Sequence, residues 1–272
     1  MNNTERPLMT IIVSSTDGYK DLWPNFFKCK AKYWQNCQYP TFLVNNIERP
    51  NITDVNVINC GVDASWSERM RKALNQIDTE YVCFLLEDFF ITNHVDNKNI
   101  QEALQYMQSN NIKYYKLLTI NPIETPFFKD SKFLKILPAN YPYGISLMAA
   151  IWDRKFFLEK IGNQNYNPWK FETDRLKEEN NSGSEIVGIY DNRNILNITH
   201  MVVQGQYLLP SLKKAYDLGL KMSLADRPAM SLKSYIFYKV KGYIGIKMRK
   251  YPLIAFLLKP IVKKHSVAYK YR

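Results

Sequence analysis

In the first ninety residues, short β-branched or apolar runs alternate with segments of helical spacing, which restricts the chain to α/β architectures. The first run, residues 9–14, stops at the turn-forming Ser15-Thr16-Asp17-Gly18. A helix is expected over 22–34, where Leu22, Phe26, Phe27, Lys30 and Tyr33 fall near helical spacing, and short strands over 42–44 and 55–58. Ser65-Trp66-Ser67-Glu68 has the spacing of a helix cap ahead of residues 69–77. Residues 80–86 then form a continuous apolar run, the mark of a strand buried on both faces, and it ends abruptly in Glu87-Asp88. The order predicts a doubly wound, mostly parallel sheet flanked by helices. Ligands of such sheets bind beyond the carboxyl ends of strands. Four features lie at such ends: residues 14–17, Asn45-Asn46, residues 61–67 and Glu87-Asp88.

The later chain is less regular. A helix is expected over 100–109, a strand over 114–120, an irregular stretch over 121–140 and a strand over 143–152. Asp153 caps an expected helix to residue 161, 163–169 reads as a loop and 178–184 as a polar loop. Strand-like pieces at 186–190 and 195–203 precede a helix over 211–218 opened by Pro210.

Charge divides the chain more sharply than pattern does. Lys and Arg total 37 against 25 Asp and Glu, and the last 46 residues hold 12 of the basic residues and no acid, leaving 25 of each in residues 1–226. A neutral body over 1–226 and a polybasic tail over 227–272 are therefore expected. The tail interleaves its cations with Tyr235, Ile236, Phe237, Tyr238, Tyr243, Ile244, Leu253, Ile254 and Phe256, a composition suited to an anionic membrane surface rather than to nucleic acid. The longest apolar stretch there, residues 253–258, falls far short of the ~20 residues a span needs, and the polar first seven residues lack the apolar centre of a signal peptide. The expected location is the cytoplasm, peripheral on the inner face of the cell membrane. Cys29, Cys37, Cys60 and Cys83 form no CxxC pair and read as reduced, structural thiols.

Glu87-Asp88 is the most specific local feature. Two carboxylates at a strand end supply hard oxygen ligands for Mg²⁺ or Mn²⁺, which neutralises a diphosphate. A solvated strand end is the plain alternative. Arg69, with Ser65 and Ser67, starts a helix whose first amides favour phosphate, or it is a solvated helix arginine paired with an acid.

The succession of strand, serine-rich loop, Ser-Glu-Arg helix and Tyr81-Val-Cys-Phe-Leu-Leu-Glu-Asp-Phe-Phe90 resembles the nucleotide-binding half of GT-A glycosyltransferases, particularly those of bacterial capsule and O-antigen loci. The resemblance extends over residues 9–210, through Tyr143-Gly-Ile-Ser-Leu-Met-Ala-Ala-Ile-Trp152 and Asn167-Pro-Trp-Lys-Phe-Glu172. It implies a GT-A-like fold with a nucleotide-binding half over about 9–95 and an acceptor half over 96–226, followed by a helical basic tail. It implies that Glu87-Asp88 serves as the acidic motif, here without the spaced D-x-D form, with Glu87 on the donor side and Asp88 on the metal. Ser15, Asp17 and Asn45 then lie where these folds hold the nucleoside, against an Asx-turn at Asp17-Gly18 as the alternative. His200 becomes a metal ligand or else a structural histidine; His94 and His265 carry no role. Glu172 becomes the base that takes the acceptor's proton, with Asp174 as competitor, and Trp152 or Trp169 stacks on a sugar face.

The resulting expectation is an inverting hexosyltransferase acting on a nucleotide sugar, UDP-linked, and a lipid-linked glycan, with a galactofuranose donor as a family-level possibility. Two other classes stay open: a nucleotidyltransferase, for which Ser14 to Gly18 is a poor phosphate loop, and a non-catalytic carbohydrate-binding or scaffold protein, which leaves the acids without a task.

Overall fold

A computed structural model describes residues 7–118, 125–137, 145–175 and 188–250. The chain divides into two compact units, Met1–Met201 and Val202–Arg272. That boundary lies upstream of the expected start of the tail at residue 227.

In the first unit, strand β1 (Met9–Ser14) is buried throughout, as its unbroken β-branched run requires. Helix α1 (Trp23–Tyr33) begins with Pro24 in its first turn, where a missing N–H costs nothing. Strands β2 (Thr41–Asn45) and β3 (Asn56–Asn59) follow. Helix α2 (Trp66–Gln76) starts in a complete capping box, with Ser65 accepting from the Glu68 amide while the Glu68 carboxylate accepts from the Ser65 amide at 2.8 Å. Strand β4 (Tyr81–Leu86) leads through Glu87-Asp88 into β5 (Phe89–Ile91), a strand the apolar pattern did not separate from its predecessor. Helix α3 (Asn97–Asn110) is capped by Asp96 and ends in the left-handed Asn111.

Next come β6 (Tyr114–Lys116), β7 (Leu134–Leu137), β8 (Ala150–Asp153), α4 (Arg154–Ile161), α5 (Pro168–Arg175), β9 (Gly188–Asp191) and β10 (Ile198–His200). Asp153 caps α4 as expected, accepting from the Phe156 amide at 2.9 Å. Three expectations are corrected. The stretch 121–140 contains a strand, β7, and residues 145–149 are bends, so the strand expected over 143–152 begins only at Ala150. The loop over 163–169 stops short because Pro168 opens α5, an eight-residue helix too short to show a period in sequence. Residues 119–124, 138–144 and 176–187, with the expected polar loop over 178–184, lie outside the described residues.

Eight strands form one sheet in the order β3-β2-β1-β4-β8-β6-β9-β7. Strands β1 to β4 pair in parallel; β8 runs against both β4 and β6, β9 is parallel to β6, and β7 runs against β9. The fold is thus a mixed, mostly parallel α/β sheet flanked by helices. Strand order reverses beside β1, and six strands (β1, β2, β3, β4, β6 and β9) end at one edge. A ligand site belongs there, in the crevice between β1 and β4.

One face of the sheet packs on α2, α4 and α5 through Trp66, Met70, Leu74, Phe84, Trp152, Phe157 and Phe171. Trp152 stacks on Phe157 with centroids 4.2 Å apart, and Tyr114 meets its edge at 4.4 Å.

In the second unit, β11 (Val202–Val203) and β12 (Gln206–Tyr207) form a hairpin turned by Gln204 and Gly205, both at positive φ. The strand expected over 195–203 begins only at Ile198 and is broken at Met201, because β10 pairs with β5 and β11 with β12. Helix α6 (Leu209–Asp217) carries Pro210 in its first turn, and α7 (Leu232–Lys250) carries the tail's helix. No helix among the described residues is long and apolar enough to cross a membrane.

Candidate functional site

The common edge gathers the strand ends of β1 to β4, and the first feature built there is a polar latch. The Asp17 carboxylate accepts from Asn45 Nδ2 at 2.9 Å and from the Ile47 amide at 3.1 Å. Asn46 Oδ1 accepts from the Asp17 amide, and Asn59 Nδ2 donates to Asn45 Oδ1 at 2.9 Å. Three strand-end loops are thereby tied together, so Asp17 and Asn45 shape the floor of the crevice with side chains already engaged. Asn59, which pattern reasoning passed over, leaves its buried Oδ1 without a hydrogen-bond partner among the described residues. Its only sequence signal is an asparagine at the same strand-end position as Asn45.

The serines are also spent on the fold. Ser15 Oγ accepts the Trp23 indole N–H at 2.8 Å. Ser65 caps α2, while Ser67 Oγ donates to the Gln164 carbonyl at 3.0 Å and accepts from the Tyr166 amide at 2.9 Å. The Ser67 amide bonds the Tyr166 carbonyl, and the Glu68 carboxylate occupies the helix N-terminus. The amides of Ser65, Ser67 and Glu68 are thus engaged beside the Glu68 carboxylate, which weighs against an anion seat at the start of α2. Arg69 does belong to the edge. It is 7% exposed, donates from Nη1 to the Ala64 carbonyl at 2.6 Å, and keeps a buried Nε with no hydrogen-bond partner among the described residues. Burial lowers its pKa, opposed by the charges of Cys60, Glu87 and Asp17.

Glu87 and Asp88 are both buried where β4 leaves the core. Beyond them β5 pairs antiparallel with β10, setting His200 opposite Phe89, and the Met201 amide donates to the Asp88 carbonyl at 2.8 Å. This pairing brings His200 Nε2 to 2.9 Å from Asp88 Oδ2. Asp88 Oδ1 is buried without a hydrogen-bond partner among the described residues. Two ligands bound at ~2.1 Å and at right angles stand about 3.0 Å apart, so the pair suits adjacent corners of an octahedral ion. No group of three or more His, Cys, Asp and Glu side chains gathers into a metal cage among the described residues. A one-carboxylate site completed by substrate phosphates and water is the usual manner of Mg²⁺ with nucleotides.

The acceptor-side candidates separate. Glu172, on α5, is half-buried and accepts from the Leu147 amide at 3.0 Å. Burial raises its pKa, with the Leu147 hydrogen bond and the charge of Lys116 working the other way. Asp174 pairs with Lys170 at 2.5 Å across one turn of α5. Trp152 is 0% exposed and belongs to the core, so it presents no face to a sugar. Trp169, in the first turn of α5, is 52% exposed. His94 is exposed on the loop after β5, and His265 lies outside the described residues.

No protein-family model matches the chain, and no curated protein does either. Among solved structures the chain is similar to Staphylococcus aureus TarS at 13% identity and a TM-score of 0.43, over 68% of this chain and 37% of that one. It is similar to TarS residues 1–349 at 13% identity and 0.41, over 68% of this chain and 60% of that one, and so spans less than two thirds of either. A cytidylyltransferase from Leptospira borgpetersenii is similar at 12% identity and 0.42, over 68% of this chain and 76% of that one.

Proposed function

We propose that the chain is a glycosyltransferase that moves a hexosyl unit from a nucleotide sugar, UDP-linked, to a lipid-linked oligosaccharide in surface polysaccharide synthesis of the capsule or O-antigen kind. The observation that carries this reading is the Asp88–His200 pair, with its unsatisfied buried carboxylate oxygen, at the switch point of the sheet. Asp88 and His200 would hold Mn²⁺ or Mg²⁺, whose charge would neutralise the donor diphosphate. Arg69 adds a fixed positive charge beside it, and the latch of Asp17, Asn45 and Asn59 frames the nucleoside end of the crevice.

On the acceptor side, Glu172 takes the proton of the attacking hydroxyl as the acceptor oxygen bonds to the anomeric carbon and the bond to the diphosphate oxygen breaks, inverting that carbon. A base held in a dry setting has a proton affinity nearer that task than a solvated carboxylate has. Trp169 offers an exposed aromatic plane for an acceptor sugar. A lipid-borne acceptor accounts for the tail. Leu232, Ile236, Phe237 and Val240 of α7 are exposed and lie among Lys233, Lys239 and Lys241, which fits peripheral attachment to the inner face of the cell membrane.

Calorimetric titration of UDP with and without Mn²⁺ tests the assignment. The parent should bind UDP with Mn²⁺ and Asp88→Ala should lose roughly tenfold or more in affinity, the usual scale for a metal-site substitution; parent-like binding by the variant would remove the metal site. Parallel incubation with CTP, Mn²⁺ and a sugar phosphate as acceptor, read by pyrophosphate release, separates a nucleotidyltransferase.

A further inference from the structure

A lysine buried at the functional edge lies outside the donor site described above. Lys116 ends β6 and is 4% exposed, with β8 on one side and β9 on the other, opposite Ala150 and Tyr190. Because β6 and β4 run the same way, Lys116 emerges at the same sheet edge as Glu87 and Asp88. The period of two along a strand puts it on the face of Tyr114. From that face the Tyr114 hydroxyl donates to the Ser146 carbonyl at 3.2 Å, and the next amide, Leu147, donates to Glu172 Oε1. Strand β6 therefore directs one tyrosine and one lysine to the side of the sheet where the Glu172 carboxylate is held by the Leu147 amide.

We propose that Lys116 is the positioning residue of Glu172, its fixed counter-charge on the same face of the sheet. The role rests on the reading of Glu172 as the base. A half-buried carboxylate without a counter-charge takes up a proton and can no longer accept one from a hydroxyl. The groups facing Glu172 are Lys116, Tyr114 and the Leu147 amide, while Lys170 and Asp174 on its own helix pair with each other. The coupling is mutual: burial brings Lys116 down to about 8, and the Glu172 charge acts to hold it up.

The test is a ¹³C-carboxyl NMR titration of Glu-labelled protein, with the Glu172 signal assigned by its loss in Glu172→Gln. In Lys116→Met the Glu172 carboxyl should gain roughly tenfold or more in proton affinity, while Lys116→Arg should stay near the parent. An unmoved titration in Lys116→Met would overturn the proposal. Should Lys116→Met fail to fold, the Lys116 signal of ¹³C-lysine-labelled protein serves instead: its midpoint should fall in Glu172→Gln, and an unchanged midpoint would be equally fatal. Hydrolysis of UDP-GlcNAc by Glu172→Gln separates the two layers. Parent-like turnover removes Glu172 as base and the functional role of Lys116 with it. Lost turnover together with an unmoved Lys116→Met titration leaves the base standing and removes Lys116 alone.

Discussion

At the scale of single residues, burial decides which side chains are available for chemistry. Trp152 and Trp169 look equally suited to a sugar in sequence, yet one is sealed against Phe157 and the other is open. Trp152→Ala should therefore cost stability, about 3–5 kcal/mol, the usual cost of emptying an aromatic core site. Denaturant melts measure that cost, and UDP affinity at a temperature where the variant is folded should match the parent. The misreading has a simple source: side chains of a strand alternate between faces, and which face a residue takes depends on pairings that no local pattern contains. The acids were legible because a buried run ending in two charges can only be a strand leaving the core. Lys116 was not, since nothing within the strand expected over 114–120 says that a lysine there is buried until its neighbours β8 and β9 are known.

At the scale of elements, the two most informative pieces are the cap of α2 and the β5–β10 ribbon. The capping box was legible from Ser65 and Glu68 alone. The Ser65 hydroxyl and amide hold the Glu68 carboxyl below its usual value, so this contribution is full above the unfolded carboxyl value and is lost as pH falls through the lowered folded one. Ser65→Ala should lower stability by about 1 kcal/mol near neutrality. It should also flatten the acid limb of melting temperature against pH, as followed by circular dichroism. The ribbon was not legible, because its halves are more than a hundred residues apart and each is only three residues long. A proline at Thr199, paired with Phe90 in mid-ribbon, removes a backbone donor and disturbs the placement of His200. Mn²⁺ affinity of Thr199→Pro should drop roughly tenfold or more while far-ultraviolet circular dichroism stays that of the parent.

At the scale of the whole molecule, charge asymmetry was legible by counting, and the arrangement of the sheet beyond β4 was not. The tail predicts a measurable partition: protein lacking residues 227–272 should fail to sediment with phosphatidylserine vesicles that carry down the full chain. Binding of the full chain should weaken steeply between about 0.1 and 0.5 M salt, as screening shortens the reach of its cations. Within the first unit the reversed strand β8 has a wider effect. It points its carboxyl end away from the functional edge, so α4 must climb back and deliver residues 162–166 onto α2, where Ser67 and Arg71 fasten them through the Gln164 carbonyl, with Asn165 gripped by Arg71. The helix carrying Arg69 and the one carrying Glu172 thus share a riveted joint rather than a hinge. Substitutions that cut this joint, at Ser67 or Arg71, would loosen the two helices together rather than one of them.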